Sequence, residues 1–440
     1  MALYGTSRIN ASGHLEIGGC DVVELAQTYG TPLVIYDEEY IRRRCQAFVQ
    51  AFKDKGMQAQ VAYASKAFSS IAICQLIEEE GLSLDVVSGG ELYTALKAGF
   101  PPERIHFHGN NKSLQELKMG LESGIGCFVV DNFTELAHLH ALAEARQQKV
   151  KILLRITPGI EAHTHEYITT GQEDSKFGFD LNSGQAFEAL KQALSQPYYH
   201  VLGLHAHIGS QIFDTAAFQL VIQRLAQFVQ EASKKLGWQI SVLNLGGGFG
   251  IRYTAEDTPL LPQEYVYALC DSVHKEWQTL RQPLPEIWIE PGRSIVGEAG
   301  TTVYTIGAFK EVPGVRQYIS VDGGMSDNLR VALYQAKYEA CVANRMTENN
   351  SEVYTVAGKL CETGDILIWD LPLPRVKEGD LLAVFCTGAY GYSMANNYNR
   401  IPRPAVVMVR DGEAHLIIRR ETYGDLIRND IPLMSKITQK

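Results

Sequence analysis

From residue 61 onward, short apolar runs recur at a steady spacing, at 61–66, 84–88, 105–109, 127–131, 151–157, 201–208, 241–246 and 286–290. Between most of them lie segments whose apolar residues repeat with helical spacing: 90–98, 114–122, 132–146, 184–194, 216–236 and 263–280, with Phe68 to Glu80 after the first run and Glu38 to about Phe52 before it. Apolar runs of strand length alternating with amphipathic helices describe parallel β/α units. Eight such units predict a closed (β/α)8 TIM barrel. A doubly wound open sheet is the alternative, but eight units of this length fit closure better. After Gly292 the pattern changes to strand-like runs joined by turns: Thr301–Ile306, Tyr318–Val321, Val353–Val356, Ile366–Trp369, Leu381–Phe385, Ala405–Val409 and Ala414–Ile418. Arg410-Asp411-Gly412-Glu413 has the composition of a hairpin turn. This part predicts a C-terminal all-β domain, barrel or sandwich. The run Leu33–Tyr36, introduced by Thr31-Pro32, can join it as an extra strand. The expected division is therefore a barrel over 38–292 and a discontinuous β domain over 1–37 and 293–440.

A chain of 440 residues has ample length for two or three domains. Apolar content of 45% and charged content of 20% are ordinary for a globular protein. The net charge of -10 argues against nucleic acid or an anionic membrane as partner. No run approaches the length of a membrane span, and Met1–Asn10 lacks the apolar core of a signal peptide. The eight cysteines are scattered singly with no CxxC pair, so neither a zinc site nor a disulfide framework is indicated. A cytoplasmic enzyme with reduced thiols is expected.

The chemistry of such barrels lies at the carboxyl ends of the strands. Read in order, those ends present Lys66, then Asp85 with Ser88-Gly89-Gly90-Glu91, then His108-Gly109-Asn110, Arg155, His205-Ala206-His207-Ile208-Gly209-Ser210, Asn244-Leu245-Gly246-Gly247-Gly248 and Glu290-Pro291-Gly292-Arg293. Lys66 closes the run Val61-Ala62-Tyr63-Ala64-Ser65. A lysine desolvated at a buried strand end favours its neutral amine, which can attack an aldehyde; the bland alternative is an amine snorkelling to water. The glycines at 246–248 let backbone N–H groups turn toward an anion, although a tight turn also explains them. Glu290 follows Ile287-Trp288-Ile289 and needs a partner there. That partner is either an arginine or a pyridine nitrogen, which the carboxylate would keep protonated. His205 and His207 share one face of a strand, with three readings open: metal ligands, a ring-stacking His207 over a core His205, or two bonded core histidines. His163, His165 and Glu166 sit in a polar stretch and read as a loop near the mouth.

The later domain has its own polar cluster. Asp322-Gly323-Gly324-Met325-Ser326-Asp327 leads to Arg330 and Tyr334, which are spaced to share a helix face. Cys361-Glu362-Thr363-Gly364-Asp365 and Gly388-Ala389-Tyr390-Gly391-Tyr392 are polar turns. A lone cysteine is usually a small core residue, but Cys361 stands beside Glu362 and Asp365.

Taken together, AYASKA, HIGSQ, GGGFGI, EPGRS, DGGMSD, CETGD and GAYGYSMANNYN, in that order from about Thr31 to Pro404, resemble the bacterial diaminopimelate decarboxylase family. That family belongs to the alanine racemase-like, fold type III pyridoxal-phosphate enzymes. The segment Glu161–Glu166 followed by Lys176-Phe177-Gly178 is similar to this family rather than to its ornithine relatives. Val331 stands where proline is common in the family.

The resemblance implies pyridoxal 5'-phosphate as cofactor, bound covalently by Lys66. It implies Gly247, Gly248 and Ser210 at the phosphate, Glu290 at the pyridine nitrogen and His207 stacked on the ring. Pro291, Gly292 and Arg293 would line the cofactor, and Tyr390 would touch it. Arg293, Arg330, Tyr334, Glu362 and Tyr390 would bind substrate, and Cys361 would donate the proton. The Cys-Glu turn comes from the neighbouring subunit in the family, which implies a homodimer with shared active sites. The implied reaction converts meso-2,6-diaminopimelate to L-lysine and CO2, the last step of lysine biosynthesis, without metal. Rival readings are a decarboxylase of ornithine, arginine or a carboxylated polyamine on the same fold, a metal-dependent barrel hydrolase using His205 and His207, an alanine racemase-like activity, and a catalytically dead homologue. The last would be expected to lose Lys66 or Cys361, and this chain keeps both.

Overall fold

The computed structural model describes residues 3–160 and 175–433. The segment containing His163, His165 and Glu166 lies outside the described residues. The chain divides into two compact units, one formed by residues 40–298 and the other by residues up to 39 together with those from 299 onward.

In the first unit eight strands pair in parallel around a closed ring. They are β1 (Ala59–Ala64), β2 (Ser83–Val86), β3 (Ile105–Phe107), β4 (Cys127–Val130), β5 (Val150–Thr157), β6 (Tyr199–His205), β7 (Val242–Asn244) and β8 (Glu286–Ile289). Closure is made by β8 against β1, with Ile287 opposite Ala59 and Ile289 opposite Val61. This is the predicted (β/α)8 barrel, and the open-sheet alternative is excluded. The barrel interior is packed: Cys127, Val129, Leu153, Val242 and Trp288 form one buried cluster across β4, β5, β7 and β8.

The same local device starts the helices after the first four strands. Ser70, Ser88, Ser113 and Asn132 cap the helices Ile71–Glu79, Gly89–Lys97, Leu114–Ser123 and Phe133–Arg146, each side chain accepting from a backbone N–H three residues on. Each cap contributes about 1 kcal/mol. Three of these helices carry a glutamate, Glu91, Glu116 or Glu135, whose carboxylate accepts from the backbone N–H of Val87, Ser113 or Asp131 and so ties the helix start to the loop before it. Strand ends that must display side chains are thus pinned by short, capped loops.

The second unit is built on mixed sheet. Leu33–Asp37 lies between Gly300–Val312, to which it is antiparallel, and Ala405–Arg410, to which it is parallel. The N-terminal run does therefore join the later domain. Ala405–Arg410 and Glu413–Ile418 form the expected hairpin, with Asp411 and Gly412 both at positive φ. Each of the seven expected runs is a strand. Short helices accompany these sheets: Arg330–Tyr334, where the spacing put both side chains on one helix face, and Val22–Tyr29 and Tyr423–Ile427, which were not anticipated because such brief segments cannot be separated from turns by periodicity. Ala340–Val342 and the small sheet over Arg8–Asp21 were likewise not anticipated. Among the described residues no helix is long and apolar enough to cross a membrane.

One buried cation supports the loop after β3. Lys112 Nζ donates to Gly109 O, Val129 O and Glu135 Oε1, each at 2.8 Å. A buried ion pair that loses one partner leaves the other charge uncompensated. Lys112→Ala is expected to lower unfolding free energy by about 3–5 kcal/mol, read from the denaturant midpoint at constant slope. An unchanged midpoint would remove Lys112 from the supports of this loop.

Candidate active site

At the carboxyl end of the barrel, β1 stops at Ala64 and Ser65–Ala67 continue as a single 3-10 turn. Ser65 Oγ donates to Asp85 O at 2.7 Å, fixing the turn to β2. Ser65 and Ala67 are buried but Lys66 is exposed. The strand ends two residues before the expected run does, and the turn lifts the lysine out of the barrel layer. Its charge is felt by Asp85, Glu91 and His207.

Glu290 lies just beyond β8 and is buried. Its backbone N–H donates to Gly246 O at 2.9 Å, which holds it against the end of β7. Oε1 accepts from Asn244 Nδ2 at 2.6 Å and lies 3.0 Å from His108 Nε2; Oε2 lies 3.2 Å from His205 Nε2. Burial alone would raise this carboxyl, but the facing His108 and His205 outweigh it and hold Glu290 well below the usual carboxylate range. Burial pushes His108 down to about 4, against the opposing pull of Glu290. Asp85 goes the other way: burial, then the charge of Glu290, push it well above its ordinary value. Two buried carboxyls near one another are thus driven apart, one to the anion and one toward the acid, a pattern typical of functional sites.

The sequence pairing of His205 with His207 is resolved by this geometry. His205 turns to Glu290, whereas His207 Nδ1 accepts from Gly247 N–H at 3.2 Å. Burial, then the charges of Lys66 and Arg155, push His207 well below the imidazole range, leaving it a neutral, half-buried ring. A metal pair of His205 and His207 is excluded by that divergence. Asn244 was read only as part of a strand end, and its bond to Glu290 depends on a cross-strand register the sequence does not display.

Beside these groups lies a turn that tolerates no side chain. A Cβ at Gly247 would stand 2.1 Å from Glu290 O, and one at Gly248, where φ is +102°, would stand 2.4 Å from Gly209 O. Pro291 O accepts from Ala64 N–H at 3.3 Å, and Gly292 packs against Ala64 and Ala67. The Glu290–Arg293 segment is thereby laid along the end of β1. Arg293 is buried; its guanidinium donates to Ser210 Oγ at 2.8 Å and to Tyr253 Oη. A cavity of about 550 Å³ opens at the opposite, amino-terminal ends of the strands, beside Gln60, His106, Lys151 and Trp288. None of the expected site residues lines it, and conserved chemistry is not expected on that face of a barrel.

The second unit presents the remaining expected residues. Arg330 and Tyr334 lie on one short helix; Arg330 is buried and donates from Nη1 to Tyr338 Oη at 2.6 Å. Cys361 and Glu362 are exposed on a turn, and Cys361 N–H donates to Asn399 Oδ1 at 2.9 Å. The other seven cysteines are buried. Tyr390 is half-buried with φ at +61°.

Comparison with known proteins gives these features a family. Residues 38–297 match the model of the pyridoxal-dependent decarboxylase, pyridoxal binding domain. The chain is 62% identical over 439 residues, 100% of each chain, to a diaminopimelate decarboxylase of Bacillus subtilis (strain 168). The chain belongs to the diaminopimelate decarboxylase family. Among solved members, the M. jannaschii enzyme in co-complex with L-lysine superposes with a TM-score of 0.92 at 38% identity, covering 98% of this chain and 99% of that one. The Helicobacter pylori enzyme complexed with L-lysine gives 0.84 at 33%, covering 93% and 98%. Diaminopimelate decarboxylases of this family are pyridoxal-dependent, and the barrel mouth fits that cofactor. It offers a glycine cradle closed to any Cβ, an ionised buried carboxylate and an accessible lysine amine.

The cradle can be tested directly. Gly248→Ala adds a methyl group in a left-handed region and against a carbonyl, a strain of about 1–3 kcal/mol. Pyridoxal phosphate should be held about tenfold or more less tightly, measured by fluorescence titration of protein stripped of cofactor. Equal affinity would mean that the turn does not meet the phosphate.

Proposed function

We propose that this chain decarboxylates meso-2,6-diaminopimelate to L-lysine and CO2, the final step of lysine biosynthesis, using pyridoxal 5'-phosphate. The observation that carries this reading is the Glu290 constellation: a buried carboxylate held below its ordinary range beside a glycine cradle, with the charge of Lys66 reaching the neighbouring Asp85. Full-length identity with enzymes of that name supports the substrate.

When bound, pyridoxal phosphate supplies an electron sink for the pair left on the substrate's Cα as CO2 departs. Lys66 would hold the cofactor covalently and release it to the incoming amine. Gly247, Gly248 and Ser210 would bind its phosphate, with Arg293 fixing the Ser210 hydroxyl in place. Pro291 and Gly292 would wall the ring, His207 would stack on it, and Glu290 would hold the proton on its nitrogen. Cys361 would return a proton to Cα.

The far end of the substrate would set specificity. A guanidinium fork matches a carboxylate and a glutamate matches an ammonium. Arg330, braced by Tyr338, would take the distal carboxylate with Tyr334. Glu362 would take the distal amine, and Tyr390 would close on substrate and cofactor. Arg293 would also bind the substrate. Ornithine lacks a distal carboxylate and would leave the arginines unpaired. We further propose a cytoplasmic homodimer in which the turn carrying Cys361 and Glu362 completes the partner's site. The exposure of both residues in the single chain supports it.

Three measurements decide the reading. CO2 release should be confined to meso-diaminopimelate across a panel with ornithine, arginine and carboxynorspermidine; faster release from ornithine would transfer the chain to the other decarboxylase class. Lys66→Ala should lose both the visible absorbance band of bound cofactor and the pyridoxyl peptide recovered after borohydride, while Cys361→Ala should keep the band and lose turnover. If sites are shared, mixing the two inactive variants should restore up to about a quarter of parental activity through heterodimers. No recovery after confirmed subunit exchange would place both residues in one chain's site.

A further inference from the structure

We propose that Gln211 is a positioning residue whose side-chain amide clamps the loop after β6 to the loop after β7 and so holds Ser210 and Gly248 together as one phosphate site. This rests on the reading above, in which these loops meet the phosphate of the cofactor.

The backbone ladder between the two loops is interrupted and then resumes. β6 and β7 pair in register as far as His205 opposite Asn244, and Ala206 N–H still donates to Asn244 O at 2.9 Å. Among the described residues, no backbone hydrogen bond then joins 207–211 to 245–248. Pairing returns at Ile212, whose N–H donates to Gly248 O at 2.9 Å and whose carbonyl accepts from Gly250 N–H at 3.0 Å. Ile212 and Phe249 form a parallel bridge there. Ser210, Gly247 and Gly248 therefore belong to the interval in which the ladder is broken.

Gln211 ties the outer end of that interval. Its Nε2 donates to Ile251 O at 2.7 Å, and its Oε1 accepts from Ile251 N–H at 3.2 Å. One side chain thus engages both backbone groups of a single residue on the other loop, as only a group with donor and acceptor side by side can do. The same bonds support an uncommon backbone conformation, since φ at Gln211 is +61°. A glycine would take that φ more readily but could not make the clamp.

The clamp also closes a circuit around Ser210. Arg293 donates to Ser210 Oγ at 2.8 Å and to Tyr253 Oη, and Tyr253 stands two residues beyond Ile251. The path runs from Ser210 through Gln211, Ile251, Tyr253 and Arg293 back to the Ser210 hydroxyl. On the far side, Tyr265 Oη donates to Ile212 O at 2.6 Å and fixes the next residue to the helix Pro262–Leu280. Close packing makes the registration of the two loops matter: a Cβ at Gly248 would stand 2.4 Å from Gly209 O, so a small slide of one loop past the other would disturb both.

Two variants test this. Gln211→Met keeps the length of the side chain and removes the amide; Gln211→Gly removes the amide and also the strain of positive φ. Each full-length protein, stripped of cofactor, is titrated by fluorescence with pyridoxal phosphate and separately with pyridoxal, which lacks the phosphate. Both variants should hold pyridoxal phosphate about tenfold to a hundredfold less tightly, the worth of two hydrogen bonds, with pyridoxal affinity unchanged. In the reloaded protein, the phosphorus NMR line of the bound cofactor should move from its parental position. Parental pyridoxal phosphate affinity in Gln211→Gly would mean that backbone conformation alone sets the loop, and would overturn the proposal. An equal loss for pyridoxal would assign Gln211 to general folding and overturn it too. Gly248→Ala separates the two levels. If it also leaves pyridoxal phosphate affinity unchanged, the functional reading of these loops fails; if it weakens binding and the Gln211 variants do not, this inference alone fails.

Discussion

A carboxylate placed at the end of a barrel strand, out of reach of water, has to be met by donors or give up its charge. Glu290 is in that position: Asn244 and His205 bond to it from two other strands, and His108, beyond a third, lies 3.0 Å away. Because those strands are separated by up to about 180 residues in sequence, the bonds to Glu290 exist only if the ring closes in one register. A slip of one residue on β6 would exchange the faces of His205 and Ala206 and leave the anion short of a donor. The site therefore depends on barrel closure, and closure in turn is fixed by the apolar layer through Leu153, Val242 and Trp288 beneath it.

Much of this was legible in the chain. Alternation of apolar runs with helical segments located every barrel strand, because each strand is buried on both faces and reads as an unbroken apolar stretch. Polar residues confined to one end of each strand located the mouth. Three features escaped. The first apolar run was read through Lys66, yet the strand stops at Ala64 and a turn over Ser65–Ala67 follows; a pattern of residues does not show where a strand stops within two positions. The spacing of His205 and His207 left three readings open, and cross-strand neighbours separate the two rings, Glu290 for one and Gly247 for the other. Asn244 gave no signal because its meaning lies in the residue opposite it.

The second unit shows the same limit in another form. Leu33–Asp37 is the strand between Gly300–Val312 and Ala405–Arg410, so a segment near the start of the chain completes a sheet made near its end. Composition allowed that pairing and register decided it. Short helices such as Arg330–Tyr334 were seen only as a spacing of two side chains, which proved sufficient to place both on one turn.

Burial divides the chemistry of this protein into two kinds. Glu290, Asp85 and His108 are buried, where desolvation and a few partners move a carboxyl or imidazole far from its value in water. Lys66 and Cys361, to which the proposed reaction assigns the making and breaking of bonds, are exposed. An amine locked in the core could be tuned but not reached; a carboxylate at the surface would keep its charge but have it screened by water and salt. Within the barrel, Glu290 stands just beyond one strand and Lys66 on the turn beyond its neighbour, so a shielded carboxylate and an accessible amine lie at the same mouth.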